Sequence, residues 1–191
     1  MLTVEDRRLH VVLVDSDHEL RLPGTFLHEG EVLAGAVRRS LADKAGITGL
    51  DPEQLHVFDA LGRDDRGWVL SVAHVAVVPA ETLGDRGRLR VTPVERAVGL
   101  RYDHDRIVQL AAEWLRARYR ALPDPDRLLP NEFTLRDLQL LHEAVLGEAV
   151  MKDAFRRRMV DDLVETGRLS TGAVGKPARL WRRKDEETAS R

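Results

Sequence analysis

The chain has 191 residues, of which 43% are hydrophobic and 32% charged, and a formal net charge of −2. That suits one large domain or two small ones, with a core to bury and enough charge to stay soluble. No apolar run approaches the roughly 18 residues that span a bilayer, no signal-peptide layout opens the chain, and the absence of cysteine excludes disulfides, thiolate zinc sites and cysteine nucleophiles, so the expectation is a cytoplasmic protein with no membrane partner.

Leu9 to Val14 is a β-rich run behind a charged tight turn, Glu5 to Arg8. Only Met1 to Val4 precede that turn, a first strand short enough to suggest a start upstream. Val32 to Ala45 reads as a helix: Leu33, Val37 and Leu41 recur four apart, and Gly46 supplies the stop. Gln54 to Phe58 is a short strand. Trp68 to Val78 is a long one, opened by the Asp64 to Gly67 turn and closed by Pro79. Leu89 to Val91 is a further candidate strand. The first half is thus strands around one early helix, an α+β layout.

Asp103 to Arg120 predicts a stronger helix, with Ile107, Leu110, Ala111, Trp114, Leu115 and Arg118 along one stripe and Asp103 or Asp105 as cap. Three prolines between Leu122 and Pro130 cannot continue it and mark a domain boundary. Thr134-Leu-Arg-Asp137 is a capping-box-like start for a helix with an apolar face of Leu135, Leu138, Leu141 and Val145, stopped by Gly147. Another helix begins near Met151. Phe155, Met159 and Leu163 share one face of it, Arg157 points away with Arg156 and Arg158 on its flanks, and Gly167 is its expected end. Arg168 to Arg183 then reads as a two-stranded hairpin. Helix, turn, helix and hairpin in that order is the winged helix-turn-helix arrangement. The expected domains are 1–122, including the linker helix 103–120, and 123–184, with a frayed tail over 185–191.

Between Lys152 and Lys184 the chain carries ten Lys and Arg against four Asp and Glu. A local surplus of that kind marks a nucleic-acid partner. Thr134, Arg136, Lys152, Arg156, Arg157 and Arg158 are the candidates on the helix pair, and Lys176, Arg179, Arg182 and Arg183 give the hairpin its charge. The competing account is a solvated basic helix paired with Asp153, Asp161 and Asp162. In the first half, Gly62 to Gly67 is either a loop in which Arg63 or Arg66 meets phosphate or an ordinary charged turn. The seven histidines show no metal-ligand spacing. His104 reads as part of a helix cap, and no catalytic triad, Walker loop or dinucleotide fingerprint is present.

The stretch Leu22 to Ile47 resembles a Nudix box, whose pattern is Gly, five residues, Glu, seven residues, then Arg-Glu-aliphatic-x-Glu-Glu-x-Gly-aliphatic. Glu31, Arg39, Leu41, Gly46 and Ile47 fall in register. Thr25 stands for the opening glycine, and Ser40, Asp43 and Lys44 for the three helix carboxylates. Mg²⁺ wants oxygen ligands in near-octahedral geometry. The formal charge of Ser40, Asp43 and Lys44 sums to about zero, and the lysine puts an ammonium where a cation belongs. No resident metal, no required cofactor and no catalytic residues are expected, because the metal would have had to neutralise the pyrophosphate and activate water. Thr25, Phe26, Glu31, Arg39, Asp43, Lys44, Arg63 and Arg66 are the candidate effector-binding residues, with Lys44 and Arg39 drawing phosphate.

A Nudix domain followed by a winged helix is the layout of the Nudix-related transcriptional regulators of NAD metabolism, the NrtR family. Further stretches resemble that family: Arg63 to His74, Leu100 to Asp105, Leu129 to Gln139, Glu143 to Gly147 with Phe155 to Arg158, and Gly175 to Trp181. The resemblance implies a Nudix-type mixed β-sheet with helices, then a winged helix-turn-helix. It implies a homodimeric repressor on palindromic double-stranded operators of NAD biosynthesis or salvage genes, released by ADP-ribose or a related NAD derivative. A weak Nudix hydrolase of ADP-ribose, a regulator of this architecture that senses a sugar or sugar phosphate, and a DNA-binding module whose first domain is purely structural are the alternatives.

Overall fold

A computed structural model describes residues 1–16, 18–64, 67–84, 86–171 and 177–184. Arg66, Lys176 and the expected frayed tail lie outside them. The chain divides into two compact units, Met1–Glu5 with Leu9–Trp114, and Asp6–Arg8 with Leu115–Arg191.

β1 (Leu2–Glu5) and β2 (Arg8–Ser16) form a hairpin, followed in the first unit by β3 (Glu19–Arg21), α1 (Leu33–Ala45), β4 (Glu53–Phe58), β5 (Ser71–Val75) and β6 (Leu89–Pro93). Asp6 and Arg7 both have positive φ, 47° and 58°, the geometry of a two-residue hairpin turn whose twist matches its strands. β2 pairs antiparallel with β3 from Val14↔Arg21 to Ser16↔Glu19, and with β6 from His10↔Pro93 to Val14↔Leu89. β1 also meets Val77 in a parallel bridge, with Leu2 N–H on Ala76 O at 2.8 Å and Val78 N–H on Leu2 O at 3.0 Å. The sheet is therefore mixed, as expected. Met1, Val12, Val14, Val78, Leu83 and Leu89 pack with Leu41 and Ile47 to form a core. This anchors α1, which ends where Gly46 turns left-handed (φ 66°) and donates to Ala42 O.

The expected strand from Trp68 to Val78 is shorter in the structure. β4 supplies ladder partners only for Ser71–Val75, and Trp68 and Leu70 are exposed. Strand character needs a neighbour to hydrogen-bond, and apolar composition alone does not provide one. β3, three residues with no alternating pattern, was not foreseen. Leu33, expected on the core face of α1, is 40% exposed, and Ala36 and Ser40 are buried beside Leu41 instead.

α2 (His104–Ala121) begins in the first unit and ends in the second. Its fully buried stripe is Val108, Ala112, Leu115 and Tyr119, displaced from the expected Ile107, Leu110 and Trp114, which are half-buried. The unit boundary falls inside this helix, between Trp114 and Leu115, eight residues before the expected 122/123 division.

The second unit adds β7 (Phe133–Thr134), α3 (Leu135–Leu146), α4 (Lys152–Met159), a 3₁₀ turn Val160–Asp162, β8 (Leu163–Leu169) and β9 (Arg179–Arg183). Strand order β7-β9-β8 with α3 and α4 between β7 and β8 is the winged-helix topology. The Thr134–Asp137 capping box forms in both directions, and Gly147 closes α3 at φ 75°. Gln139 Nε2 and Val150 N–H both donate to Glu143 Oε1, fixing the turn into α4. Phe133, Leu138, Phe155, Met159, Leu163 and Trp181 form the core.

One expectation fails here. Gly167 does not end a helix; α4 stops at Met159, and Gly167 sits in β8 at φ 75°. The β8–β9 register shifts between Glu165 and Leu169, so this glycine serves a bulge. Phe155, Met159 and Leu163 are all buried, but Leu163 reaches the core as the first residue of a strand. Spacing of four does not distinguish those two routes. β7 was also not foreseen, because two residues carry no periodicity.

Candidate functional site

The loop from Leu22 to Val32 is tied to α1 by two cations. Arg39 Nε and Nη2 bond Glu31 Oε1 and Oε2, each at 2.9 Å. The same guanidinium reaches Thr25 Oγ1 at 3.1 Å and Phe26 O at 3.0 Å. This planar fork is the geometry that arginine offers to oxygen pairs. Glu31 also accepts His28 N–H at 3.1 Å. Its carboxyl is held down at about 2, first by the Arg39 bonds and then by the His28 N–H. Lys44, in the last turn of α1, bonds Gly24 O. Thr25, Phe26, Glu31, Arg39 and Lys44 thus come together on one loop and one helix face, and Asp43 is exposed near them, close enough to act on Arg39.

These residues do not fit a Mg²⁺ ion. Ser40 is 3% exposed, and its hydroxyl has no hydrogen-bond partner among the described residues. It has become part of the core face of α1. Lys44 brings its positive charge to the loop carbonyl, and Glu31 is taken up by Arg39. Among the described residues no group of three or more His, Asp or Glu could hold a metal ion.

Arg63 has a different place from the one expected. Its side chain is 3% exposed. It donates to Asp103 Oδ2 at 2.8 Å, Ser71 Oγ at 2.8 Å and Tyr102 O at 2.9 Å. It braces the turn before α2 and presents no free fork to a ligand. That turn places Tyr102 and Asp103 at φ 60° and 59°, where non-glycine residues are held only by their surroundings. Asp103 provides the first helical acceptor through its carbonyl, to Ile107 N–H at 3.0 Å, while its carboxylate faces Arg63. Asp105 turns back to Gly99 N–H and Leu100 N–H, at 2.8 and 2.6 Å.

His104, read from sequence as a cap residue, does something else. Its Nδ1 accepts Leu22 N–H at 3.1 Å, which makes the ring neutral with the proton on Nε2. Burial, reinforced by Arg63 and Arg21, lowers it to about 4. Sequence offered no signal for this pairing, which spans 82 positions.

In the second unit, α4 buries Phe155 and Met159 and leaves Arg156, Arg157, Arg158 and Lys152 exposed. No ion pair of the three arginines with Asp153, Asp161 or Asp162 occurs among the described residues. Arg136 is exposed on the first turn of α3. The Thr134 hydroxyl is engaged in the capping box. Arg179 is exposed and paired with Glu165 across the hairpin, at 3.1 Å, an exchangeable surface contact. Arg182 is exposed.

Arg183, expected in the wing's charge, points inward. It is buried and bonds Asp124, which has no exposed surface, together with Leu129 O at 2.6 Å and Pro130 O at 3.2 Å. Asp124 also accepts Tyr119 Oη–H at 2.9 Å and the N–H groups of Leu128 and Leu129 at 2.8 and 2.9 Å. This knot joins the end of α2, the proline-rich segment and β9. Beside it, the His142 ring lies edge-on to Tyr119 and Phe155, at 5.1 and 4.9 Å, and burial lowers its basicity to about 4.

A sequence-family profile described as the NrtR DNA-binding winged helix domain matches residues 126–183. The ADPR responsive transcriptional repressor NtrR of Acinetobacter baylyi is 31% identical over 198 residues, covering 95% of this chain and 78% of the relative. Among solved structures, Shewanella oneidensis NrtR complexed with a 27mer DNA aligns with TM-score 0.79 at 31% identity, over 96% of this chain and 90% of that one. The NUDIX domain of the same protein complexed with ADP ribose aligns with TM-score 0.52 at 28% identity, over 60% of this chain and 82% of that one. With an exposed basic helix in a winged-helix unit, a Nudix-like loop and helix in the other, and likeness along nearly its whole length, the chain belongs to the NrtR family of Nudix-related transcriptional regulators.

Proposed function

We propose that this chain is a DNA-binding transcriptional repressor of NAD biosynthesis or salvage genes, and that ADP-ribose or a related NAD-derived ligand relieves it by binding the Nudix-like domain without being hydrolysed. The observation that carries the reading is the state of the box. Ser40 is buried, Glu31 is consumed by Arg39, and Lys44 reaches the loop carbonyl of Gly24. A sensor that destroyed its own ligand would report poorly.

In this reading Lys44 and Arg39 exchange their neutral loop oxygens for the ligand's anionic pyrophosphate, so that both partners of the contact are charged. Thr25 and Phe26 line the loop, and Glu31 and Asp43 set the orientation of Arg39. On the DNA side, Arg156, Arg157 and Arg158 of α4 enter the major groove. Lys152, Arg136, Arg179 and Arg182, with Lys176, contact phosphates. The protein acts in the cytoplasm as a homodimer, matching a palindromic operator through its two-fold symmetry. The DNA-binding domain takes in the last turns of α2.

Calorimetric titration with ADP-ribose in EDTA, then in Mg²⁺, tests the ligand site. The expected result is equal affinity in both and no AMP, with Lys44→Ala weakening binding by about tenfold, the loss of one charge-assisted contact. Strong Mg²⁺ dependence with AMP released would overturn it.

A further inference from the structure

We propose that His104 is a positioning residue that couples the 22–26 loop to α2, so that ligand binding at the loop is felt along the helix. The inference rests on the ligand-responsive reading above.

The loop is held at three successive points. Lys44 holds Gly24 O, and Arg39 holds Thr25 Oγ1 and Phe26 O. Leu22 N–H, two residues before Gly24, is held by the His104 ring, the first residue of α2. Pro23 lies between them and has little φ freedom, which narrows the ways in which a displacement at Gly24 is absorbed before it reaches Leu22. A phosphate-bearing ligand competes for the two cations that hold the loop. Its arrival frees Gly24 O and Phe26 O, and the pull then falls on the Leu22–His104 bond.

The start of α2 is built to respond. The two residues before His104 are in left-handed backbone, kept there by Arg63 on Tyr102 O and the Asp103 carboxylate. Arg63 and Asp105 tie the turn to other segments: Ser71, Gly99 and Leu100. Arg101 and Tyr102 of the same turn meet β3, through Glu19 at 3.4 Å and Arg21 at 5.9 Å, and His104 bonds the backbone of Leu22 itself. A segment held in an uncommon conformation by a few removable contacts is the kind of element that has two arrangements. The helix is continuous to Ala121. Within the second unit, Tyr119 contacts His142, which contacts Phe155 of α4, and Tyr119 bonds Asp124, which holds Arg183 of β9. The helix and wing that carry the basic residues are therefore linked to the helix whose first residue meets the ligand loop. Ligand need only favour the arrangement that binds DNA less well.

The test uses the full chain and a duplex that the wild-type chain selects from a random library. ADP-ribose affinity, DNA affinity and DNA affinity at saturating ADP-ribose are measured for wild type, His104→Phe and His104→Asn. Phenylalanine keeps a ring but lacks the acceptor. The asparagine carbonyl oxygen replaces Nδ1. His104→Phe should leave both separate affinities within about threefold of wild type and cut the ligand-induced loss of DNA affinity by about tenfold, within the usual range of coupling between sites. His104→Asn should restore most of it. Wild-type coupling in His104→Phe overturns the proposal. A wild-type chain that ADP-ribose does not release from DNA overturns instead the ligand-responsive reading on which it rests. Independently of any variant, the His104 Nδ1 resonance of the wild-type protein should shift when ADP-ribose binds, and an unchanged resonance contradicts the coupling.

Discussion

Arg183→Ala should destabilise the C-terminal unit by about 3–5 kcal/mol, the usual cost of removing one partner from a buried ion pair. For a unit of this size that lowers the melting temperature by roughly 12 °C or more. Asp124 has no exposed surface, and Arg183 supplies two of its donors through Nε and Nη2. Truncation leaves the carboxylate with Tyr119 and two backbone N–H groups but no counter-charge. It also frees Leu129 O and Pro130 O and uncovers the Phe133 ring, which the guanidinium caps at 5.0 Å. Asp124→Asn with Arg183→Met should cost clearly less than the sum of the single changes, since neither ion is then left alone. Urea denaturation of the wild type, Arg183→Ala, Asp124→Asn, Arg183→Met and the double change checks this. A loss under about 1 kcal/mol in Arg183→Ala would mean the knot contributes little beyond a surface pair.

Arg157→Glu should abolish specific DNA binding, with a loss of about a hundredfold or more, because it removes a base or phosphate contact and sets a negative charge against the duplex. Stability should change by less than about 0.5 kcal/mol, as for other exposed positions away from special features. Arg157 is exposed, and its neighbours Phe155 and Met159 carry the packing of α4. ADP-ribose affinity should be unchanged. Lys152→Ala, a milder change at a phosphate contact, should reduce the slope of log affinity against log salt by about 1. Unchanged DNA affinity in Arg157→Glu would remove α4 from the recognition position.

The contrast between Arg157 and Arg183 shows what could be read in advance. The helical period put Phe155 and Met159 inside and the arginines outside, and the structure agrees. In β9 the period is two. Trp181 and Arg183 are buried and Arg182 is exposed, so alternation from the tryptophan already placed Arg183 inward. Counting charge along the hairpin obscured it. Short elements escaped for another reason. β3 and β7 have three and two residues, too few for any period, and exist because β2 and β9 offer them ladder partners.

The candidate ligand site was legible by register. Glu31 and Arg39 fall where the box pattern puts them, Lys44 stands at the position of a helix carboxylate, and the three meet the loop at Gly24, Thr25 and Phe26. Arg63 could not be judged from its turn-like surroundings, because its partners Tyr102 and Asp103 lie about 40 positions away. Its burial follows from the packing of two loops that share no sequence pattern. His104 escaped for the same reason.

The most direct measurement is the anisotropy of a labelled duplex, selected by the wild-type chain, during titration with ADP-ribose in EDTA and again in Mg²⁺, with the nucleotide analysed afterwards. DNA release in both conditions with ADP-ribose recovered intact is the predicted result. DNA retained when ADP-ribose saturates the chain, failure of ADP-ribose to bind, or release only as AMP accumulates would contradict a repressor that senses its ligand through a non-hydrolysing Nudix domain.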